Sequence, residues 1–106
     1  MNKEYFLKII ISNYNNFIYI KKCLDSILNQ SFKDWFCIIV DDMSTDKSDE
    51  ISEIYQNRYP NNFKLIRMNK KVYAGGCRNM GLKSGVKSKY TYFIDSDDYL
   101  YDNNSL

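Results

Sequence analysis

At 106 residues, 44% of them hydrophobic, the chain suits a single compact domain over residues 1–106 that buries its own core without disulfides or a structural metal. Its 15 basic and 13 acidic side chains leave a net charge of +2, and the lysine pairs at 21–22 and 70–71 are too sparse for a nucleic-acid surface, which excludes that partner class. Three cysteines, Cys23, Cys37 and Cys77, lack zinc spacing and predict buried thiols in a reducing compartment, and no segment approaches the length of a membrane span. The N-terminal "MNKEYF" has no signal-peptide run after its charge, so the expected location is the cytoplasm.

In chain order, "FLKIIIS" (6–12) is a β-branched run of strand length, and residues 17–30 place Phe17, Ile20, Leu24, Ile27 and Leu28 at helical spacing. "FCIIVD" (36–41) predicts a second buried strand. Ser44, Thr45 or Asp46 then offers a helix cap, ahead of a face carrying Ile51, Ile54 and Tyr55. "FKLIRM" (63–68) predicts a third strand, followed by the loop "NKKVYAGG" and a short helix over "GCRNMGLKSGV" (76–86). "YTYFID" (90–95) predicts a fourth strand.

Alternating strands and helices imply a three-layer α/β/α sandwich, a Rossmann-like parallel sheet with helices on both faces. In a doubly wound sheet of order 3-2-1-4, ligands bind beyond the carboxyl ends of the strands where the order reverses. The segments leaving those ends are "SNYN" (12–15), "DDMST" (41–45) and "DSDD" (95–98), three polar clusters expected to share one crevice. "SNYNN" has neither the glycines of a dinucleotide turn nor a phosphate-cradling Gly-Lys-Ser. With no histidine in the chain, the available metal ligands are oxygens, which select magnesium, manganese or calcium. Close carboxylates repel unless a cation or a hydrogen-bonding shell lies between them, so the acid cluster reads as a site for Mn2+ or Mg2+ with a diphosphate.

"IIISNYNNFIYIKKCLDSILNQSF", "CIIVDDMSTDKS", "AGGCRNMGL" and "YFIDSDDYL", in this order and spacing, resemble the nucleotide-binding half of family 2 glycosyltransferases of the GT-A fold, over nearly the whole chain. The resemblance implies Ser12 and Tyr14 beside the base and ribose of a nucleotide-sugar, and Asp42 as acceptor for a uracil ring N–H. It implies Asp97 as a direct metal ligand, Asp95 on ribose or on the metal, and Arg78 and Asn79 at the start of the third helix fixing the donor. Cys77 replaces the usual alanine and Ser12 a frequent proline.

The function so implied is metal-dependent, inverting transfer of a sugar from a nucleotide-sugar, a UDP-sugar above others, in polysaccharide biosynthesis. The acceptor is a carbohydrate or a lipid-linked molecule in a full-length enzyme, peripheral to the membrane or free of it. The family places its acceptor site and its general base after the Asp-any-Asp segment, and this chain ends at "YDNNSL", so it is expected to be a donor-binding fragment without a catalytic residue of its own. A nucleotidyltransferase is the alternative enzyme, although it requires a glycine-rich basic turn after the first strand. A catalytically inactive nucleotide-binding or phospho-acceptor signalling module is the non-enzymatic one. Plainer roles also exist: Asp41 or Asp42 steadying a turn, Tyr14 half-buried, Arg78 paired with a surface acid, Asn79 capping its helix, and Tyr90, Tyr92, Tyr99 and Tyr101 as packing residues.

Overall fold

The computed structural model describes residues 3–98. Seven elements alternate as expected: β1 (Glu4–Asn13), α1 (Phe17–Leu28), β2 (Trp35–Asp41), α2 (Ser48–Arg58), β3 (Phe63–Arg67), α3 (Tyr73–Leu82) and β4 (Lys87–Asp95). The strands form one parallel sheet in the order β3-β2-β1-β4. Their registers bring the carboxyl ends level, with Asn13 opposite Asp41 and Ser12 opposite Asp95.

Side chains alternate across a strand, so a run such as Ile9-Ile10-Ile11 serves both faces. Ile9 and Ile11 join Cys37, Ile39 and Phe63 beneath α1 and α2, which supply Ile20, Cys23, Leu24, Ile27 and Tyr55. Ile10 joins Ile38 and Val40 beneath α3, which supplies Cys77. Truncating a buried isoleucine to alanine in such a core costs about 2–5 kcal/mol. Phe17, expected on the inner face of α1, is half exposed, because the helix's buried stripe is set by Ile20, Cys23, Leu24 and Ile27.

The loops at the strand ends are held by bonds that extend the ladder: Asp42 N–H donates to Asn13 O (2.9 Å), Met68 N–H to Asp41 O (2.9 Å) and Ser96 N–H to Ser12 O (3.1 Å). All three cysteines are buried free thiols, as expected. Tyr90 and Tyr92 are 61% and 45% exposed on β4, which among the described residues pairs with β1 alone, and the Tyr90 ring packs on Phe6 with ring centres 5.1 Å apart. Tyr99, Tyr101 and Asp102 lie outside the described residues. Among the described residues, no helix is long and apolar enough to cross a membrane.

Candidate functional site

Three strand ends converge on one open crevice of about 280 Å³. The β1 end contributes Ser12, Tyr14 and Asn16, the β2 end Asp42, the segment entering α3 Lys71, Tyr73 and Ala74, and the β4 end Asp95 and Asp97. Five of the seven residues expected from sequence, Ser12, Tyr14, Asp42, Asp95 and Asp97, therefore meet. Arg78 and Asn79 do not line this crevice. The third helix starts at Tyr73 rather than Gly76, so both residues sit past its first turn, and the Arg78 guanidinium lies 5.7 Å from the Phe93 ring centre.

The two acids at the end of β2, Asp41 within it and Asp42 just past it, have separate tasks. Asp41 is tied into its own turn: it accepts from Asn13 Nδ2 (2.8 Å), Ser44 Oγ (2.7 Å) and Ser44 N–H (2.9 Å). Asp42 is 2% exposed and reaches the other way, accepting the N–H groups of Val72 and Tyr73, each at 2.8 Å. These are among the N–H groups that a helix start leaves without partners, and Val72, at the N-cap position, makes no side-chain capping bond. Lys71 Nζ stands 3.3 Å from the same carboxylate. Burial pushes the Asp42 carboxyl up, and the two N–H groups together with the Lys71 ammonium outweigh it, so its pKa lies below the ordinary value.

Lys71 also lies over the Tyr14 ring, 3.0 Å from its centre, and 5.4 Å from that of Tyr73. Two aromatic faces and the Asp42 carboxylate thus hold the Lys71 ammonium at the crevice wall. Tyr73 holds φ at 63°, an uncommon conformation for a bulky residue, with its N–H fixed by Asp42 and its ring exposed at the crevice. Sequence reasoning missed Asn16, Lys71 and Tyr73. Lys71 was visible only as half of a weak basic doublet, and its place follows from how Asp42 ties down the start of α3.

The carboxylate oxygens of Asp95, Asp97 and Asp98 lie within 4.8 Å of one another, all exposed. Hard oxygen donors at this spacing fit magnesium or manganese, which keep several ligand positions for water and phosphate. Asp98 joins the pair expected from sequence. Beneath the turn, burial and then the charges of Asp98 and Asp97 push the Cys23 thiol up to about 12, so it stays protonated and packs as a small apolar group. A second hollow, of about 270 Å³ between α1 and α2, lies away from the strand ends, and its lining includes the Lys21–Asp25 ion pair at 2.6 Å.

Residues 8–106 match the family described as Glycosyl transferase family 2. The minor teichoic acid biosynthesis protein GgaA of Bacillus subtilis (strain 168) is 40% identical over 94 residues, covering 85% of this chain and 21% of that protein. A poly(ribitol-phosphate) beta-glucosyltransferase of Bacillus spizizenii is 38% identical over 96 residues, 89% of this chain and 15% of its own length. The chain thus spans about a fifth or less of these relatives. The crystal structure of S. aureus TarS 1-349 in complex with UDP superposes with a TM-score of 0.80 at 31% identity, over 94% of this chain and 29% of that one. The mannosyltransferase PcManGT from Pyrobaculum calidifontis, in complex with GDP-Man and Mn2+, has a TM-score of 0.81 at 19% identity over 92% and 29%, a likeness of fold alone. Sheet order, the converging strand ends and these matches agree: the chain belongs to glycosyl transferase family 2 and has the GT-A fold.

Proposed function

We propose that this chain is the donor-binding part of an inverting, metal-dependent glycosyltransferase that uses a UDP-sugar. The observation that carries the reading is the meeting of Ser12, Tyr14, Asp42, Asp95 and Asp97 in one crevice at the reversal of strand order. The complexes of TarS with UDP and with UDP-GlcNAc, a relative above 30% identity, support the choice of nucleotide. In this reading Tyr14 and Ser12 flank the base and ribose, and Lys71 offers its charge to the diphosphate. Both Asp42 oxygens already accept a backbone N–H, and a carboxylate oxygen has a second lone pair, so the uracil ring N–H still has an acceptor there. Asp97 holds the divalent cation with Asp95 and Asp98 around it; when bound, the cation offsets charge on the departing diphosphate. The motif residues Arg78 and Asn79 belong to the proposal as outer contacts of the donor, beyond the crevice wall.

Catalysis then requires an acceptor hydroxyl, a base to take its proton, and attack on the anomeric carbon from the face opposite the diphosphate. In this reading the 106-residue chain is expected to bind donor without transferring sugar. General-base assistance alone is worth about 10² to 10⁴ in rate. The acceptor is a carbohydrate or a lipid-linked molecule, met at or near the cytoplasmic membrane surface; the three free thiols support the reducing compartment.

Base choice tests the reading. Leaving a buried acceptor unpaired costs about 1–3 kcal/mol, so UDP is expected to bind about 5- to 150-fold more tightly than CDP, whose ring nitrogen has no hydrogen to donate. Calorimetric titration giving equal affinities would remove Asp42 from the nucleotide site.

A further inference from the structure

Asn16 has the residue type and position of an N-cap for α1, yet its side chain makes no capping bond to that helix. The cap comes from elsewhere: Asp46 Oδ2 accepts the Phe17 N–H at 2.9 Å. Relieved of that task, the Asn16 amide crosses 80 positions of sequence and donates from Nδ2 to Ser96 Oγ at 2.6 Å. Ser96 is the middle residue of Asp95-Ser96-Asp97, and it is fully buried while both neighbours are exposed. Its own N–H donates to Ser12 O (3.1 Å), and the turn closes with Asp98 N–H donating to Asp95 O (2.9 Å).

We infer that Asn16 and Ser96 form a positioning pair that fixes the Asp95–Asp97 turn so that its carboxylates stand ready for a divalent cation. The inference rests on the metal reading of those acids. Two anchors hold Ser96, one through its backbone N–H and one through its hydroxyl. Without the second, the turn rotates about the first, and the flanking carboxylates lose the spacing that keeps their oxygens within 4.8 Å. Groups that orient metal ligands without touching the metal commonly change affinity by about 10- to 100-fold when removed. Asn16 also lines the crevice, so the same bond joins the nucleotide wall of β1 to the metal wall of β4.

The test is a Mn2+ titration of the 106-residue chain with UDP present, following free Mn2+ by electron paramagnetic resonance, for the parent, Ser96→Ala, Asn16→Ala and their double variant, with Asp97→Asn as the metal-ligand control. Each single variant is expected to bind Mn2+ about 10-fold more weakly, and the double variant no more weakly than either, because all three break one bond. Ser96→Ala should keep the parent's affinity for UDP without metal and most of its melting temperature, which separates a positioning role from general damage. Unchanged Mn2+ affinity in the singles overturns the inference, as does a double variant whose losses multiply. A parent that binds no Mn2+ overturns the metal reading and the pair's role with it, whereas Asp97→Asn as the only weakened variant keeps the former and sinks the latter.

Discussion

Asp41 and Asp42 are adjacent and both buried, yet one closes the turn after β2 while the other reaches to the start of α3. Replacing Asp42 with asparagine turns one acceptor oxygen into a donor facing a backbone N–H. The expected loss is about 1–3 kcal/mol of stability, measured by denaturant unfolding near neutral pH. The pH dependence has a definite sign. The folded-state pKa of Asp42 lies below its ordinary value, so its contribution is complete above about pH 4 and is lost as pH falls through that lower value. The stability gap between parent and Asp42→Asn should therefore narrow below about pH 4, and a gap constant down to pH 2 would contradict the carboxylate's role. At this scale the sequence was informative about acids at strand ends, since strand periodicity places them. Lys71 and Tyr73 were illegible because a loop residue's position depends on a carboxylate about thirty positions earlier.

Among the elements, α3 has the strongest tertiary control. Its boundaries differ from the expected 76–86 at both ends, since Asp42 starts it early and the chain leaves it at Lys83, before Gly85 at φ 88°. The first signal is not local, whereas β1, β2, β3 and α1 were legible from apolar runs and spacing alone. Within α3 the glycines differ. A Cβ on Gly81 would stand 2.5 Å from Ile10 Cγ2, so this glycine lets the helix lie on the sheet; a Cβ on Gly75 would meet nothing within 4 Å. Gly81→Ala should cost about 1–3 kcal/mol through overpacking, and Gly75→Ala should gain up to about 1 kcal/mol from helix propensity. Thermal melts of the two variants moving in the same direction would refute this packing of α3. Asp46 was foreseen as one of three possible caps for α2; that it also caps α1 required the two helix starts to be neighbours.

For the whole molecule, sheet order was the most legible feature, because alternation with short connections leaves few ways to wind a parallel sheet, and that order predicted which strand ends meet. The exposed aromatics of β4 were not legible. A strand with Tyr90, Tyr92 and Phe93 open to solvent is an unpaired edge among the described residues, and sequence alternation cannot say whether a face is covered. The crevice depends on the molecule rather than on any element, since its nucleotide wall comes from β1, β2 and the entry to α3, and its acidic wall from β4. Coupling between the two walls is therefore the most direct measurement: the affinity of the 106-residue chain for UDP by calorimetry, with and without Mn2+. Shared occupancy predicts that Mn2+ tightens UDP about 10-fold or more, that UDP tightens Mn2+ by the same factor, and that Asp97→Asn abolishes the coupling while leaving metal-free UDP binding intact. Equal UDP affinity with and without Mn2+, or undiminished coupling in Asp97→Asn, would contradict a metal–diphosphate site at the end of β4.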